Sequence, residues 1–420
     1  MNKPFIFYKP FFVFAFLLIF SISNFAQTTI SAAPQQEKLL NGLKVLTWRT
    51  PQADKVTVKI RIHSGAAFDP QGKEGLMNLL SENIFPNQAA RDFFVEDLGG
   101  SFEIVNNYDY IQINTSGNSQ EFLTILQTLA NAINNITIDK ETTLKLKAAQ
   151  IEKIKENEKN PSFVADHAAA KRLLGTFPYG RPENGTLESL QKIDFADIIY
   201  AKDRFLTADN ATIAVIGDVK SDYVMRAVKR YLGGWQKSEN RVPSSFRQPD
   251  DADTKPLSIM IDGSENSAEI RFARRGLARN DKDFAASKIF TNILQNRLQS
   301  TSSKNSFVKN EEHILPGLLI FGYKSENNEK LLDITPLLTK EITNEEFVKA
   351  QTAVLDEFKA KNQADLWLDV DTFKLVSAGD EAKTFNNTTL ADVQRVAQKL
   401  AKNPFVTVSV IQKTAESKTN

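Results

Sequence analysis

Asp197-Ile-Ile-Tyr-Ala-Lys-Asp-Arg-Phe205, followed by Asn210-Ala-Thr-Ile-Ala-Val-Ile216, reads as a helix, a short break and a strand rich in Val and Ile. Asp392-Val-Gln-Arg-Val-Ala-Gln-Lys-Leu400, followed by Asn403-Pro-Phe-Val-Thr-Val-Ser-Val-Ile411, repeats that order near the other end of the chain. The starts match as well. Gly42–Trp48, the Pro51-Gln-Ala-Asp54 break, Val56–Ile62, a Gly-rich loop (Gly65–Gly75) and a helical run from Leu76 are echoed by Leu257–Ile261, a Gly-Ser-Glu-Asn break, Ala268–Arg274, a loop and the helical Phe284–Leu294. An internal duplication explains both correspondences. Strands interleaved with helix pairs, rather than strict β-α alternation, predict an α+β fold of two duplicated domains, each a mainly antiparallel sheet with helices packed on one face.

Working outward, Val56, Val58, Ile60 and Ile62 alternate with Thr57, Lys59 and Arg61, the period of a half-buried strand. Ala89–Leu98 reads as a helix stopped by Gly99-Gly100, and strands follow at Phe102–Val105 and Tyr110–Asn114. Amphipathic helices then span Glu121–Asn134 and Lys140 to Glu158, the second ended by Asn160-Pro161. Asp222–Leu232 closes the first half at Gly233-Gly234. Beyond it the composition turns polar and proline-rich, which places a linker at 241–256 between domains at 37–240 and 257–415.

The 420 residues suit two domains, and 41% hydrophobic with 25% charged residues is a globular balance. Lys+Arg 52 against Asp+Glu 51 leaves no bulk charge that would call for nucleic acid. The first 26 residues differ: Lys3 and Lys9, an apolar run Phe11–Phe20 and a small or polar end at Ala26 form the charged-apolar-small order of a secretory signal. The apolar run is short of the ~20 residues a spanning helix needs. Export to the periplasm or beyond is the expectation, with no membrane span after cleavage. Cys is absent, which excludes disulfides, thiolate metal sites and a Cys nucleophile. Only His63, His167 and His313 carry imidazoles; none forms a local pair, and each reads as structural.

The chemistry-bearing stretch is Gly75-Leu-Met-Asn78-Leu-Leu-Ser81-Glu82-Asn83-Ile-Phe85, which opens a helix after a strand and a Gly-rich loop. Asn78 and Glu82 are four apart and share a face, with Ser81 beside them. Taken alone, such a face also describes ordinary solvation. Its surroundings say more. Asn41-Gly-Leu-Lys-Val, Ser64-Gly-Ala-Ala with Gly72-Lys-Glu-Gly-Leu76, Leu98-Gly-Gly100, Pro178-Tyr-Gly-Arg-Pro182 with Gly185-Thr186, Val215-Ile-Gly-Asp218 and Ala391-Asp-Val-Gln-Arg-Val-Ala397 together resemble the insulinase and pitrilysin family of zinc peptidases, which includes the mitochondrial processing peptidase. The resemblance runs over residues 37 to 415.

That resemblance implies a half-clamshell of two α+β domains and an inverted zinc motif, His-x-x-Glu-His, in which two His hold zinc and the Glu activates water. In this chain Asn78 stands at the first His, Ser81 at the Glu and Glu82 at the second His. The third ligand, a Glu on a later helix, falls by resemblance near Glu152. Ser has no group able to act as a base near neutral pH, and an amide with a carboxylate makes a hard oxygen site where two imidazoles made a borderline one. The substrate-gripping Arg and Tyr of active relatives fall after Arg297, where Ser303 and Lys304 stand.

The expectation is a non-catalytic peptidase homologue with no cofactor. By resemblance, its partner is an active insulinase-like paralogue in a heterodimer, with a homodimer as the other arrangement and peptides as the cargo of the shared chamber. Two alternatives stay open: a metalloendopeptidase with an unusual site built from Asn78, Glu82 and Glu152, with zinc as its cofactor, and a purely structural subunit.

Overall fold

The computed structural model describes residues 33–239, 246–263, 267–301, 305–326 and 331–413; the expected signal segment 1–26, Ser303 and Lys304 lie outside these. The first sheet contains β1 (Gln35–Lys38), β2 (Lys44–Arg49), β3 (Lys55–Ile62), β4 (Ser101–Asn106), β5 (Ile111–Asn118) and β6 (Ala211–Gly217), in the order β1-β2-β6-β3-β5-β4. The second contains β7 (Leu257–Asp262), β8 (Ser267–Arg275), β9 (Phe307–Asn310), β10 (Leu318–Glu326) and β11 (Phe405–Lys413), in the order β7-β11-β8-β10-β9.

The duplication is visible in strand pairing. β6 runs parallel to β2 and antiparallel to β3, and β11 runs parallel to β7 and antiparallel to β8. The two strands on either side of the Pro51–Asp54 break therefore do not pair with each other, because the late strand β6 inserts between them. Its Ala-Thr-Ile-Ala-Val-Ile run is buried along almost its whole length, as a central strand requires.

The first half contributes α1 (Leu76–Ile84), α2 (Gln88–Glu96), α3 (Phe122–Asn134), α4 (Lys140–Asn157), α5 (Pro161–Leu174), α6 (Leu187–Lys192), α7 (Phe195–Phe205) and α8 (Ser221–Leu232). The second half adds α9 (Phe284–Thr301), α10 (Thr335–Thr339), α11 (Asn344–Ala360), α12 (Gln363–Phe373), α13 (Ala378–Asn387) and α14 (Leu390–Ala401). Asn160-Pro161 does double duty. It ends α4, and it opens α5, with Pro161 in the first turn and the Asn160 side chain accepting from the Ser162 N–H.

Val56, Val58, Ile60 and Ile62 of β3 point into a core shared with α1, α3 and α8. The alternating polar residues were expected to meet water, and here the structure differs. Lys59 is 9% exposed and Arg61 1% exposed, because α12 of the second half lies over that face. Lys59 Nζ pairs with Asp365 at 2.6 Å and Arg61 with Asp369 at 2.6 Å. The reciprocal arrangement covers the other sheet: α5 packs on β8 and β11, and the fully buried Arg271 pairs with Asp166 and with Glu269. Each half lends a helix to the other's sheet, so alternation along β3 reported a face buried by distant chain rather than a solvated one. Residues 246–256 of the linker form no helix or strand, and they are tied to the end of α5, where Asp253 donates its N–H to Arg172 and Asp250 accepts from the Thr176 N–H.

Candidate functional site

α1 is positioned by its N-terminus. Gly75 precedes it at φ 94°, where a Cβ would come within 2.7 Å of both the Asn184 carbonyl and Gln150 Nε2, so only glycine fits. The buried Asp69 carboxylate accepts from the N–H groups of Gly75 at 2.7 Å and Met77 at 2.8 Å, satisfying helix donors that have no intrahelical partner. Burial pushes the Asp69 pKa up to about 8 against these two hydrogen bonds.

The predicted face of α1 exists but is already occupied by internal bonds. Ser81 is 1% exposed and its hydroxyl donates to the Asn78 carbonyl at 2.8 Å. Asn78 and Glu82 are both half-buried. The Glu82 carboxylate receives the guanidinium of Arg91, on α2, at 2.6 Å, while Arg91 Nε donates to the Phe85 carbonyl at the end of α1 at 2.8 Å. Arg91 thus neutralises the acid and ties two helices together. Nothing in the periodicity of either helix announced that pair, since the two residues sit on separate elements.

Glu152 does not join this group. It is 71% exposed on the outer side of α4 and pairs with Lys155 one turn on. The buried face of α4 carries Thr143, Gln150 and Ile154, and residue 152 lies about 200° around the helix from residue 150. Gln150 is the residue turned toward α1, with Nε2 donating to the Asn184 carbonyl at 2.7 Å and the Gly75 carbonyl at 3.3 Å. Glu152, near which the resemblance places the third ligand, faces water here, and an amide two residues earlier takes the inward position.

These donors do not fit a zinc ion. One is a hydroxyl engaged with backbone, one a carboxylate engaged with a guanidinium, and the remaining carboxylate faces water. Among the described residues no three His, Asp or Glu side chains are placed to share a metal ion. The imidazoles serve elsewhere. His63 lies 3.0 Å from the hydroxyls of both Thr212 and Thr372, across the seam between the halves. Burial, with Lys171 nearby, lowers the His167 pKa to about 4. His313 bonds Asp109 at 2.7 Å and stacks on Tyr179 with ring centroids 4.2 Å apart. Arg297 of α9, after which the resemblance places the substrate-gripping pair, is buried as a clamp on Glu346 and the carbonyls of Leu337, Lys340 and Glu341.

Residues 44–182 match the family model described as insulinase (peptidase family M16), and residues 192–366 match that of the peptidase M16 inactive domain. The chain belongs to the insulinase-like peptidase family. The second model begins inside the first half, ahead of β6.

Among curated relatives, an uncharacterized zinc protease of Rickettsia felis is 25% identical over 50% of this chain and 52% of its own length. The cytochrome b-c1 complex subunit 1 of Saccharomyces cerevisiae is 28% identical over 48% of this chain and 45% of that one. These matches span about half the length of those relatives. The mitochondrial-processing peptidase subunit beta of Lentinula edodes is 22% identical over 90% of both chains. Of solved structures, a protease from Helicobacter pylori has a TM-score of 0.82 at 19% identity, covering 90% of this chain and 100% of that one. An M16 inactive domain from Pseudomonas fluorescens has a TM-score of 0.79 at 17% identity, covering 91% and 100%. Both share this fold.

Proposed function

We propose that this chain is a non-catalytic insulinase-like peptidase homologue, exported from the cytoplasm, that pairs with an active zinc-bearing paralogue and forms one wall of a shared peptide chamber. The observation that carries the reading is the Glu82–Arg91 ion pair beside the buried Ser81: the helix that would bind the metal and activate water is closed by its own hydrogen bonds. Ser81 has no base to offer, and Glu82 would have to leave a guanidinium to become a ligand. Two relatives that are by name subunits, of a processing peptidase and of the cytochrome b-c1 complex, support a role in an assembly. Among the described residues no helix is long and apolar enough to cross a membrane, and the leader at 1–26 supports export.

The test uses the mature chain, alone and mixed with a paralogue that carries the intact motif. Alone it holds no stoichiometric zinc and cleaves no peptide. Mixed, it forms a heterodimer whose cleavage rate exceeds that of the paralogue. Zinc at one equivalent in the lone chain, with peptidase activity abolished by Glu82→Ala, overturns the reading in favour of a rearranged metalloendopeptidase.

A further inference from the structure

The duplication is incomplete at the outer edge of the second sheet. β2 and β7 hold the same place, each parallel to the late strand of its half. Beyond β2 lies β1, paired antiparallel with it over Gln35–Lys38. Among the described residues no strand lies beyond β7, which ends its sheet. A second cover is missing as well. α8 follows β6 and packs on β2, so Val45 and Thr47 are only 0% and 3% exposed. The described residues end with β11, no helix takes the place of α8 among them, and Met260 of β7 is 61% exposed. Leu257, Ile259 and Ile261 pack toward α5, whereas Ser258, Met260 and Asp262 lie on the open face.

Sheet edges are ordinarily blunted, because their unpaired N–H and C=O groups are a template for another chain. The other edges here follow that rule. β1 carries Glu37 and Lys38, β4 carries Glu103 and β9 carries Lys309, all exposed. β7, Leu-Ser-Ile-Met-Ile-Asp, has no charge, Pro or Gly before its last residue. The chain after β11 offers no apolar cover, since residues 414–420 read TAESKTN with Ala415 as the one apolar side chain. The strand is instead complementary to itself. In an antiparallel pair of β7 strands centred on Met260, each Met260 lies opposite its twin and Ile259 opposite Ile261. Ser258 then lies opposite Asp262, to which its hydroxyl can donate, and the two Asp262 carboxylates stand at opposite ends.

We propose that β7 is a dimerisation edge, at which a second copy of this chain adds its own β7 antiparallel and joins the two five-stranded sheets into one. The contact is the same patch on both copies, so it closes on itself and does not propagate into a fibre. A six-residue strand pair is small for a permanent interface, and the dimer is expected to be reversible. The inference goes beyond the pairing with a paralogue and depends neither on that pairing nor on whether α1 is catalytic.

The experiment is sedimentation velocity of the mature chain, without any paralogue, across a concentration series. A reversible monomer–dimer equilibrium is expected. Met260→Lys, a change at an exposed side chain, removes the central apolar contact and opposes two ammonium groups, so dimerisation should weaken by about tenfold or more. The register has its own readout, because the chain contains no Cys. Opposed residues of an antiparallel pair have Cα atoms about 4.5–5.5 Å apart, within disulfide reach. Met260→Cys should therefore cross-link under mild oxidation much faster than Val376→Cys, a site 87% exposed between α12 and α13. A chain that is monomeric throughout, a dimer that Met260→Lys leaves unchanged, or equal cross-linking of the two Cys variants overturns the proposal. So does a chain that dimerises only once residues 414–420 are removed, because its own tail would then be the occupant of the edge.

Discussion

At the scale of single residues, the polar side chains of α1 are already engaged, Ser81 with the Asn78 carbonyl and Glu82 with Arg91. A catalytic carboxyl at position 81 would need room and water, whereas Ser81 is 1% exposed and fits because its hydroxyl folds back onto the helix carbonyl. Ser81→Glu therefore forces a longer acid into packed surroundings without a cation. It is expected to destabilise the protein by more than about 2 kcal/mol, read as a lowered urea midpoint with unchanged slope. Arg91→Ala acts differently. It frees Glu82, a carboxylate with 36% of its side chain exposed, and exposed ion pairs contribute little, so the loss should stay near 1 kcal/mol, mostly from the Phe85 carbonyl contact. If zinc binds the Arg91→Ala protein and not the wild type, the arginine is what keeps the site shut.

Among the elements, the helices exchanged between halves carry the polar side of both sheets. Arg61 on β3 reaches Asp369 on α12, and Arg271 on β8 reaches Asp166 on α5, so the duplication extends to its ion pairs. Asp369→Ala leaves the 1%-exposed Arg61 guanidinium with Gln112, the Thr372 hydroxyl and the more distant Asp365. A loss of about 3–5 kcal/mol is expected, whereas Arg61→Met with Asp369→Leu, which removes both charges, should recover most of it. Equilibrium unfolding of the two variants decides this. Much of this architecture was legible in the sequence, because β6 and β11 announce themselves by Val and Ile runs after matching helices and because the linker loses all periodicity. What was not legible is long-range. Alternation says that Lys59 and Arg61 share a face but cannot say that α12, three hundred residues later, covers it. Helix spacing likewise placed Glu152 on α4 without fixing the rotation of that helix, and the buried Thr143, Gln150 and Ile154 turn it the other way.

For the whole molecule, the seam makes stability depend on pH and on cooperation between halves. Burial alone would lower the His313 pKa, but hydrogen bonds and charges from Asp109 and Glu311 raise it from 6.5 to about 9. A group that binds its proton more tightly in the folded state contributes stability that is complete below about pH 6.5 and lost as pH rises through about 9. Stability should fall across that window, and His313→Gln should flatten the profile there. Cooperation follows from the apolar part of the same seam: Ala165, Ala169 and Leu173 of α5 pack on Val406, Val408 and Val410 of β11, while Leu46, Trp48 and Ala214 of the first sheet belong to the core of the second half. Neither half can unfold without stripping cover from the other's sheet. Trp235 reports the first core and Trp367 the second, and with Trp48 they are the only 3 tryptophans. Variants retaining Trp235 alone or Trp367 alone should each show one urea transition, at coincident midpoints once each variant's overall stability is matched by a probe of secondary structure. Two separated midpoints within one variant, by fluorescence and by circular dichroism, would mean that the exchanged helices do not couple the halves.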